Sequence, residues 1–311
     1  MRNREQSQIN RRTVLGSSLA LGFGVPRGTF SQTTPASPTT DDQYAHPEML
    51  IDVAWLASRL DDPSVLLVGF MPDDIFDAGH IPGSVQIDWP ALEVTDTTDD
   101  SLAAWREEVE RLMTGLGIAR DVTVVVYDEG SLFAARLWWV LHYLGHGDVR
   151  VLNGGLAAWR EAGIEVEVNG PEPPTAAEVP YRGVVQPDVI AQVVEVEASL
   201  GNDGVAIVDA RTADEYTEGH IPGAVNINFP LNALPDAPKF WKPASELREL
   251  YEAARVTPDR HVIPYCSTGV RSAVTYFSLR LIGYENVSLF TGSWAEWSSR
   301  PDLPVTTGNE P

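Results

Sequence analysis

Residues 261–281, HVIPYCSTGVRSAVTYFSLRL, contain an apolar strand-like run, a short loop that begins with a cysteine, and a helix-like segment. The members of this loop are Cys266, Ser267, Thr268, Gly269, Val270 and Arg271. A loop between a strand and the start of a helix directs backbone amides and the positive end of the helix dipole at the residue that begins it. This setting lowers a thiol pKa from its ordinary value of ~8.5 and stabilises a bound anion. The stretch therefore predicts a reactive sulfur at the end of a strand.

Cys266 is the only cysteine among the 311 residues. A disulfide within the chain and a metal site built from several thiolates are therefore excluded. A lone cysteine is also compatible with a small buried hydrophobic residue. Gly269, where the backbone can turn freely, and Arg271, which can pair with an anion, favour the reactive interpretation.

The composition is strongly acidic and poor in lysine. The formal net charge is -22, from 44 Asp and Glu against 22 Lys and Arg, and the lysines are Lys239 and Lys242. Such a surface repels phosphates, which argues against nucleic-acid and anionic-membrane partners. It resembles the surface of proteins from salt-loving microbes, the alternative being an acidic protein from a GC-rich genome.

The chain repeats itself at an offset of about 138 to 140 residues. AGHIPGSV at 78–85 matches EGHIPGAV at 218–225, and NGGLAAW at 153–159 matches TGSWAEW at 291–297. In this alignment Asp128 of the first copy stands at the position of Cys266 in the second. The sequence therefore predicts a duplicated domain whose first copy lacks the cysteine.

Within each copy, short apolar runs alternate with helical patterns, for example 65–68 with 102–116 and 205–208 with 244–254. This alternation predicts an α/β fold, with two tandem domains that each contain a parallel sheet flanked by helices. A reactive loop then belongs at the carboxyl end of a strand, where Cys266 stands. We expect a first domain at 44–168, a proline-rich connection at 169–185 and a second domain at 186–307.

The N-terminal residues 1–43 contain a predicted export signal and a linker. NRRTVL at 10–15, followed by a short glycine-rich apolar run at 16–25, resembles a twin-arginine signal. The run is too short for a permanent membrane helix, and a low-complexity linker follows at 31–42. We expect an exported protein, extracellular, periplasmic or at the cell surface, with a membrane tether only through an uncleaved signal.

The order of these motifs identifies a family. Two copies with Gly-His-Ile-Pro-Gly, a lone cysteine heading a six-residue loop in the second, and Gly-Ser-Trp-x-Glu-Trp after it resemble the two-domain rhodanese family of sulfurtransferases over about residues 47–307. The resemblance implies paired α/β domains, an inactive first one and a catalytic second one. Asp128 in place of a cysteine fits the inactive copy.

The resemblance also implies a mechanism and a set of site residues. The thiolate of Cys266 would take sulfur from a small anionic donor such as thiosulfate as a persulfide, and a thiophilic acceptor such as cyanide, a thiol or a partner protein would remove it. Amides from Ser267 to Arg271, across Thr268, Gly269 and Val270, would bind the persulfide, and Arg271 would neutralise the donor. No metal or organic cofactor is implied.

Two alternatives to sulfur transfer from thiosulfate are phosphatase or arsenate-reductase chemistry and the use of 3-mercaptopyruvate as the donor. Phosphatases and arsenate reductases of related architecture place five residues between cysteine and arginine, whereas four stand between Cys266 and Arg271. Within the family that the chain resembles, mercaptopyruvate-using members have small neutral residues just after the cysteine, as Ser267 and Thr268 are here, whereas thiosulfate-using members often have basic ones. Glu215 stands where mercaptopyruvate enzymes carry an arginine, and Gly69 stands where they carry an aspartate. We therefore expect thiosulfate, with 3-mercaptopyruvate and a persulfide carrier without efficient turnover as the alternatives.

Several other residues have structural interpretations. His80 and His220 lie in the turn that both copies share, which predicts a turn-stabilising role rather than catalysis. Asp209 and Arg211 predict an ion pair at a strand end. Arg136, next to two tryptophans, is either directed at the active site or, more commonly for this pattern, snorkels over an aromatic core.

Overall fold

The computed structural model of the protein describes residues 42–168 and 174–311. The predicted twin-arginine segment and the first residues of the predicted connection lie outside the described residues. In the part of the chain that the structure describes, no helix is long and apolar enough to cross a membrane.

The first domain is built on five parallel strands in the order β1-β5-β4-β2-β3. These strands are β1 Leu50–Ile51, β2 Val65–Phe70, β3 Val85–Ile87, β4 Thr123–Tyr127 and β5 Val149–Leu152. The helices are α1 Val53–Ala57, α2 Asp73–Asp77, α3 Asp99–Gly115, α4 Ala134–Tyr143 and α5 Gly155–Glu161. The apolar run of β4 is buried on both sides, as expected for a central parallel strand covered by helices.

The second domain repeats this arrangement. Its strands are β6 Val205–Asp209, β7 Val225–Asn226 and β8 His261–Tyr265, and they pair in parallel in the order β7-β6-β8. Isolated parallel bridges from Val262 to Val287 and from Leu289 to Ile190 extend the sheet beyond β8. The helices are α6 Val193–Ala198, α7 Ala213–Glu218, α8 Ala244–Ala253, α9 Val270–Leu281 and α10 Ser293–Ser299. The predicted tandem α/β fold is confirmed.

The strand registers confirm the duplication at single-residue level. Gly69 of β2 pairs with Tyr127 of β4, and Asp209 of β6 pairs with Tyr265 of β8. The next residues along the two central strands are Asp128 and Cys266. Aspartate and cysteine therefore stand at equivalent places in the two copies, as the alignment predicted.

The two shared histidines have the structural role that was expected. His80 Nδ1 is hydrogen-bonded to the carbonyl oxygen of Phe76 at 3.0 Å, and His220 Nδ1 to that of Tyr216 at 2.8 Å. Each imidazole also stacks on the ring of the same residue, at centroid distances of 3.9 and 3.7 Å. The same contacts occur in the copy that lacks the cysteine, so they do not depend on catalysis. Their role is to stabilise the turn.

The two domains share one apolar core across α4 and α9. Trp138 of α4 meets Phe277 of α9 edge to face at 4.9 Å, and Trp241 approaches the same ring at 4.9 Å. Buried residues of both domains belong to one contiguous cluster. This packing fixes the position of α4 relative to the loop that precedes α9.

The described part of the connection lies against the first domain. The amide of Ala177 donates to the Thr114 carbonyl at 2.9 Å, and that of Gly183 donates to the Glu110 carboxylate at 3.0 Å. The amide of Val184 donates to the carbonyl oxygen of Leu144 at 2.8 Å. These bonds hold the connection in place as it leaves the first domain.

Candidate active site

Cys266 lies where β8 ends, and its side chain is 1% exposed. Its Sγ accepts a hydrogen bond from the amide of Gly269 at 3.2 Å, and its own amide donates to Ser293 Oγ at 3.1 Å. Behind the loop, the amide of Trp294 donates to the Cys266 carbonyl oxygen at 2.9 Å. The sulfur is thus held by the backbone next to the amino end of α9, the place predicted for it. We call residues 266–271 the Cys266 loop.

Gly269 is required in this loop for two reasons. Its φ is +87°, which residues with a side chain rarely adopt. A Cβ at this position would lie 2.8 Å from the carbonyl oxygen of Thr291. The glycine therefore lets the chain turn tightly enough for its amide to point at the sulfur.

Arg271 is held by a carboxylate that sequence analysis did not assign to the site. Its Nη1 and Nη2 donate to the two carboxylate oxygens of Glu215 at 2.7 and 2.8 Å. Nη2 also donates to Ser267 Oγ at 2.6 Å, and this hydroxyl donates to Glu215 at 3.2 Å. The hydrogen bonds from Arg271 hold the pKa of Glu215 well below its usual range. The guanidinium predicted to face the donor is thus already paired.

Glu215 is positioned by a local sequence pattern. It is the third residue of α7, and its carboxylate accepts hydrogen bonds from the amide of Thr212 at 3.1 Å and from the hydroxyl at 2.9 Å. The Thr-x-x-Glu spacing is a capping box, which is readable from the sequence. The same carboxylate therefore caps α7 and holds Arg271.

The remaining loop residues contact the first domain or the helix. Thr268 Oγ1 donates to Glu93 of the first domain at 2.9 Å. Val270 is buried and begins α9. The structure thus brings all six predicted residues into one turn, and it adds Glu93 and Glu215 to their neighbourhood.

Arg136 of the first domain is completely buried, with 0% of the residue exposed. Its guanidinium lies over the Trp139 ring, 4.8 Å from the centroid, and Nη2 donates to the Leu92 carbonyl oxygen at 2.5 Å. The expectation that this arginine snorkels is wrong, because its head group lies in the domain interface rather than in water. Burial lowers the pKa of Arg136 to about 10, and the nearby Cys266 and Glu93 oppose this shift.

The predicted pair of Asp209 and Arg211 is confirmed behind the loop. Arg211 Nη2 donates to Asp209 Oδ2 at 2.6 Å, and both side chains are buried. The guanidinium also stacks on Trp294, 4.5 Å from the ring centroid. These contacts stiffen the wall of the site.

The equivalent loop of the first copy surrounds the carboxyl group of its own Asp128. The carboxylate of Asp128 accepts hydrogen bonds from the amides of Gly130, Ser131 and Ala134 at 2.7, 2.9 and 2.7 Å. Burial raises the pKa of Asp128, and these amide hydrogen bonds oppose the rise. A strand, a loop and a helix in this arrangement thus direct backbone amides at the side chain that begins the loop. We call residues 128–134 the Asp128 loop.

Within the described ranges, no group of three or more His, Cys, Asp or Glu side chains is arranged to hold a metal ion.

Comparison with known proteins agrees with this geometry. A family model described as a rhodanese-like domain matches residues 52–162 and 192–300. The chain is 36% identical over 291 residues to the sulfur carrier protein TtuD of Thermus thermophilus, with coverage of 86% of this chain and 99% of that protein. It is 38% identical over 288 residues to a thiosulfate sulfurtransferase of Corynebacterium glutamicum, with coverage of 86% and 93%.

A solved structure extends the comparison to the fold. The 3-mercaptopyruvate sulfurtransferase SseA of Escherichia coli superimposes with a TM-score of 0.69 at 30% identity, over 80% of this chain and 99% of that one. Together with the two matched domains, these similarities show that the chain belongs to the rhodanese family.

Proposed function

We propose that the protein is a sulfurtransferase that moves sulfane sulfur from thiosulfate to a thiophilic acceptor through a persulfide on Cys266. The observation that carries this proposal is the Cys266 loop, in which an amide donates to a sulfur held at the amino end of α9. The Asp128 loop supports it, because the same unit binds a carboxylate there. Amides directed at the first residue of the loop stabilise both a thiolate and a persulfide there.

The reaction proceeds in two displacements. The Cys266 thiolate attacks the outer sulfur of thiosulfate, a new S–S bond forms, and sulfite leaves with the electron pair of the bond that breaks. The cysteine then carries a persulfide anion. Cyanide or a thiolate attacks the terminal sulfur, forms thiocyanate or a new persulfide, and the thiolate of Cys266 is restored.

The position of Glu215 supports thiosulfate over 3-mercaptopyruvate. In thiosulfate the anionic group is bonded directly to the transferred sulfur, so its charge stays close to the loop amides. In mercaptopyruvate the carboxylate lies farther along the molecule and needs a cation away from the sulfur. At the place where such a cation is expected, this chain has Glu215, which engages Arg271.

A carrier role is the second candidate. One relative, 36% identical over nearly its whole length, is named a sulfur carrier protein. In this alternative Cys266 forms the same persulfide and delivers it to a partner protein, but small acceptors are used slowly. The chemistry at the sulfur is the same, and the acceptor differs.

The test is thiocyanate formation from cyanide with thiosulfate or 3-mercaptopyruvate, in molar salt, for the wild type and Cys266→Ser. Mass spectrometry of the intact protein after donor treatment follows the gain of one sulfur atom. Turnover that depends on Cys266 and prefers thiosulfate supports the proposal. A persulfide without turnover supports the carrier role, and no added sulfur on folded protein overturns both.

We also propose that the protein is exported by the twin-arginine pathway. The support is the sequence NRRTVL at 10–15 and the apolar run that follows it. The test is fractionation of cells that express the full chain or the Arg11→Lys/Arg12→Lys variant. Retention of the variant, but not of the wild type, in the cytoplasm supports export, and equal distribution argues against it.

A further inference from the structure

Arg136 is the side chain at the domain interface that the structure leaves least satisfied. Its Nε and Nη1 have no hydrogen-bond partner in the part of the chain that the structure describes. Its Nη2 is bonded to the Leu92 carbonyl oxygen alone. A buried cation with unused donors is costly, so its position calls for an explanation.

The unused face of Arg136 is directed at the Cys266 loop. A Cβ placed on Gly269 would lie 3.2 Å from Arg136 Nη1 and 3.0 Å from Thr291 Oγ1. The hydroxyl of Thr291 is buried and also without a hydrogen-bond partner. Because the amide of Gly269 donates to Cys266 Sγ, one loop residue separates the guanidinium from the sulfur.

The other charges around the loop are already engaged. Arg271 also interacts with Cys266 directly, but its bidentate pairing with Glu215 offsets part of its positive charge. Glu93 accepts a hydrogen bond from Thr268. Behind Trp294, Arg211 is paired with Asp209.

Arg136 differs from these groups because no carboxylate in the described chain lies within 4 Å of its guanidinium. Its place in α4 is also unfavourable for a cation. It is the third residue of the helix, where the positive end of the helix dipole opposes positive charge. Burial, unused donors and the helix dipole all disfavour an arginine here, and the negative charges that compensate are Glu93 and the anion that forms on Cys266. Residues that break local rules in this way are expected at functional sites.

We propose that Arg136 is a positioning residue of the active site, by which the domain without a catalytic cysteine supplies the positive charge that stabilises the anions of Cys266. Arg136 acts through the Gly269 backbone and across a desolvated interface, where electrostatic attraction is stronger than in water. For the thiolate this inference is independent of the reaction. For the persulfide it rests on the proposed function.

The test reads the charge at the sulfur without any sulfur transfer. The rate of alkylation of Cys266 by neutral iodoacetamide is measured against pH, which gives the thiolate pKa, and anionic iodoacetate is then compared with iodoacetamide at one pH. The variants are Arg136→Met, Arg136→Lys and Arg136→Gln. Arg150→Met is the matched control, because Arg150 lies in the same domain, on β5, and is paired with Asp148 at 2.8 Å.

We expect Arg136→Met to raise the thiolate pKa by about one unit or more, as loss of a nearby opposite charge does. The preference for iodoacetate should fall severalfold, Arg136→Lys should lie between Met and wild type, and Arg150→Met should match wild type. A folded Arg136→Met protein with an unchanged pH profile and unchanged reagent preference would overturn the proposal. Thermal unfolding establishes that each variant is folded.

If Arg136→Met does not fold, the pair Arg136→Lys and Arg136→Gln decides, since both side chains are flexible hydrogen-bond donors and only lysine carries a charge. A higher thiolate pKa in the Gln variant supports the proposal, and equal values overturn it. Failure of the proposed function gives a different result. In that case alkylation still depends on Arg136, whereas no sulfur is gained from either donor.

Discussion

The Asp128 loop and the Cys266 loop are two versions of one unit, and they differ in what occupies the amides. In the first copy three amides donate to the Asp128 carboxylate, and α4 begins six residues after Asp128. In the second copy one amide donates to Cys266 Sγ, and α9 begins four residues after the cysteine. The amides of the longer loop are taken up by the Asp128 carboxylate, whereas the shorter loop holds the sulfur of Cys266, which can form and break S–S bonds. One architecture therefore serves stability in one copy and chemistry in the other.

The comparison also shows that the first copy still contributes to the site. It provides Glu93, which binds Thr268, and Arg136, which faces Gly269 across the interface. The contacts run from the first domain to the loop of the second. The domain without the cysteine therefore contributes residues next to the candidate active site of the other domain.

The largest effect on activity is expected from Cys266→Asp, which gives the Cys266 loop the aspartate that begins the Asp128 loop. A carboxylate cannot accept sulfane sulfur as a persulfide, so turnover with either donor should be lost completely. The loop amides should donate hydrogen bonds to the new carboxylate, so the protein should stay folded. Thiocyanate formation measures turnover, intact mass after thiosulfate treatment measures sulfur uptake, and thermal unfolding shows whether the variant is folded.

A second variant sharpens this test. Asp128→Cys in the Cys266→Asp background places a thiol in the longer loop, where α4 begins six residues later. We expect no persulfide on it. A gain of one sulfur atom would show that the two loops are chemically equivalent and that loop length is unimportant.

The next effect is on stability. Asp128→Ala leaves three buried amides without an acceptor and should lower the free energy of unfolding by about 3 kcal/mol. Cys266→Ala removes one N–H···S contact and should cost less than half as much. Urea unfolding of both variants in the same salt measures the difference, with Asp128→Asn, which keeps one acceptor oxygen, expected in between. Equal losses for the two alanine variants would contradict the assignment of a structural anion to the first copy.

Sequence reasoning found the parts of the site that are local. Cys266, the turn at Gly269 and the Asp209–Arg211 pair are neighbours in the chain, and the internal repeat identified Asp128 as the counterpart of the cysteine. Each rests on a spacing or on a short-range conformational preference, which the order of residues contains. The structure places these residues as those patterns indicated.

The missed residues depend on packing between distant segments. Arg136 has the same local sequence whether its head group reaches water or lies between two domains, and only the packing of α4 on α9 decides. Glu93 meets Thr268 across 175 residues. For Glu215 a signal existed, because the Thr-x-x-Glu capping box fixes its direction, but its pairing with Arg271 requires α7 and α9 to be placed in space.

The third prediction concerns Gly269→Ala in the second loop. A positive φ costs an alanine about 1 to 2 kcal/mol, and the new Cβ would also approach the Thr291 carbonyl at 2.8 Å. The matched control is Gly223→Ala in the same domain, which has φ of +80° and no atom within 4 Å of the new Cβ. We expect a loss of about 2 kcal/mol at Gly269, with slower sulfur transfer, and about 1 kcal/mol at Gly223, without that effect. Identical behaviour of the two variants would argue against a tight loop.

The fourth prediction concerns the Glu215–Arg271 ion pair of the second domain. Glu215→Gln keeps an oxygen for the capping box and removes the negative charge that engages Arg271. The KM for thiosulfate should fall about threefold to tenfold, as expected when roughly 1 kcal/mol of charge pairing becomes available to the donor. Steady-state kinetics with both donors measure this, and Glu107→Gln, at an exposed position on α3, serves as the control. A higher KM would show that Glu215 aids donor binding instead.

The smallest effect separates the two loops by the sign of their pH dependence. The Arg271 hydrogen bonds lower the pKa of Glu215, whereas burial, with the neighbouring Asp128 charge, raises that of Glu129. A lowered carboxyl pKa stabilises the fold above the unfolded value of about 4.3, and this contribution is lost as the pH falls through the folded pKa. A raised pKa means that the ionised carboxylate destabilises the fold at neutral pH, and acid relieves that cost.

Glu215→Gln should therefore be less stable than wild type at pH 7, and this difference should begin to shrink as the pH falls below about 4. Glu129→Gln should be more stable at pH 7, and its advantage should disappear as the pH falls below about 4. The side chain of Glu215 is 34% exposed, so solvent screening limits its effect to under about 1 kcal/mol. Urea midpoints between pH 7 and pH 3 measure both curves. Opposite signs would show that the two loops, alike in backbone, hold their neighbouring carboxylates in electrostatically opposite environments, whereas equal signs would remove this distinction between the copies.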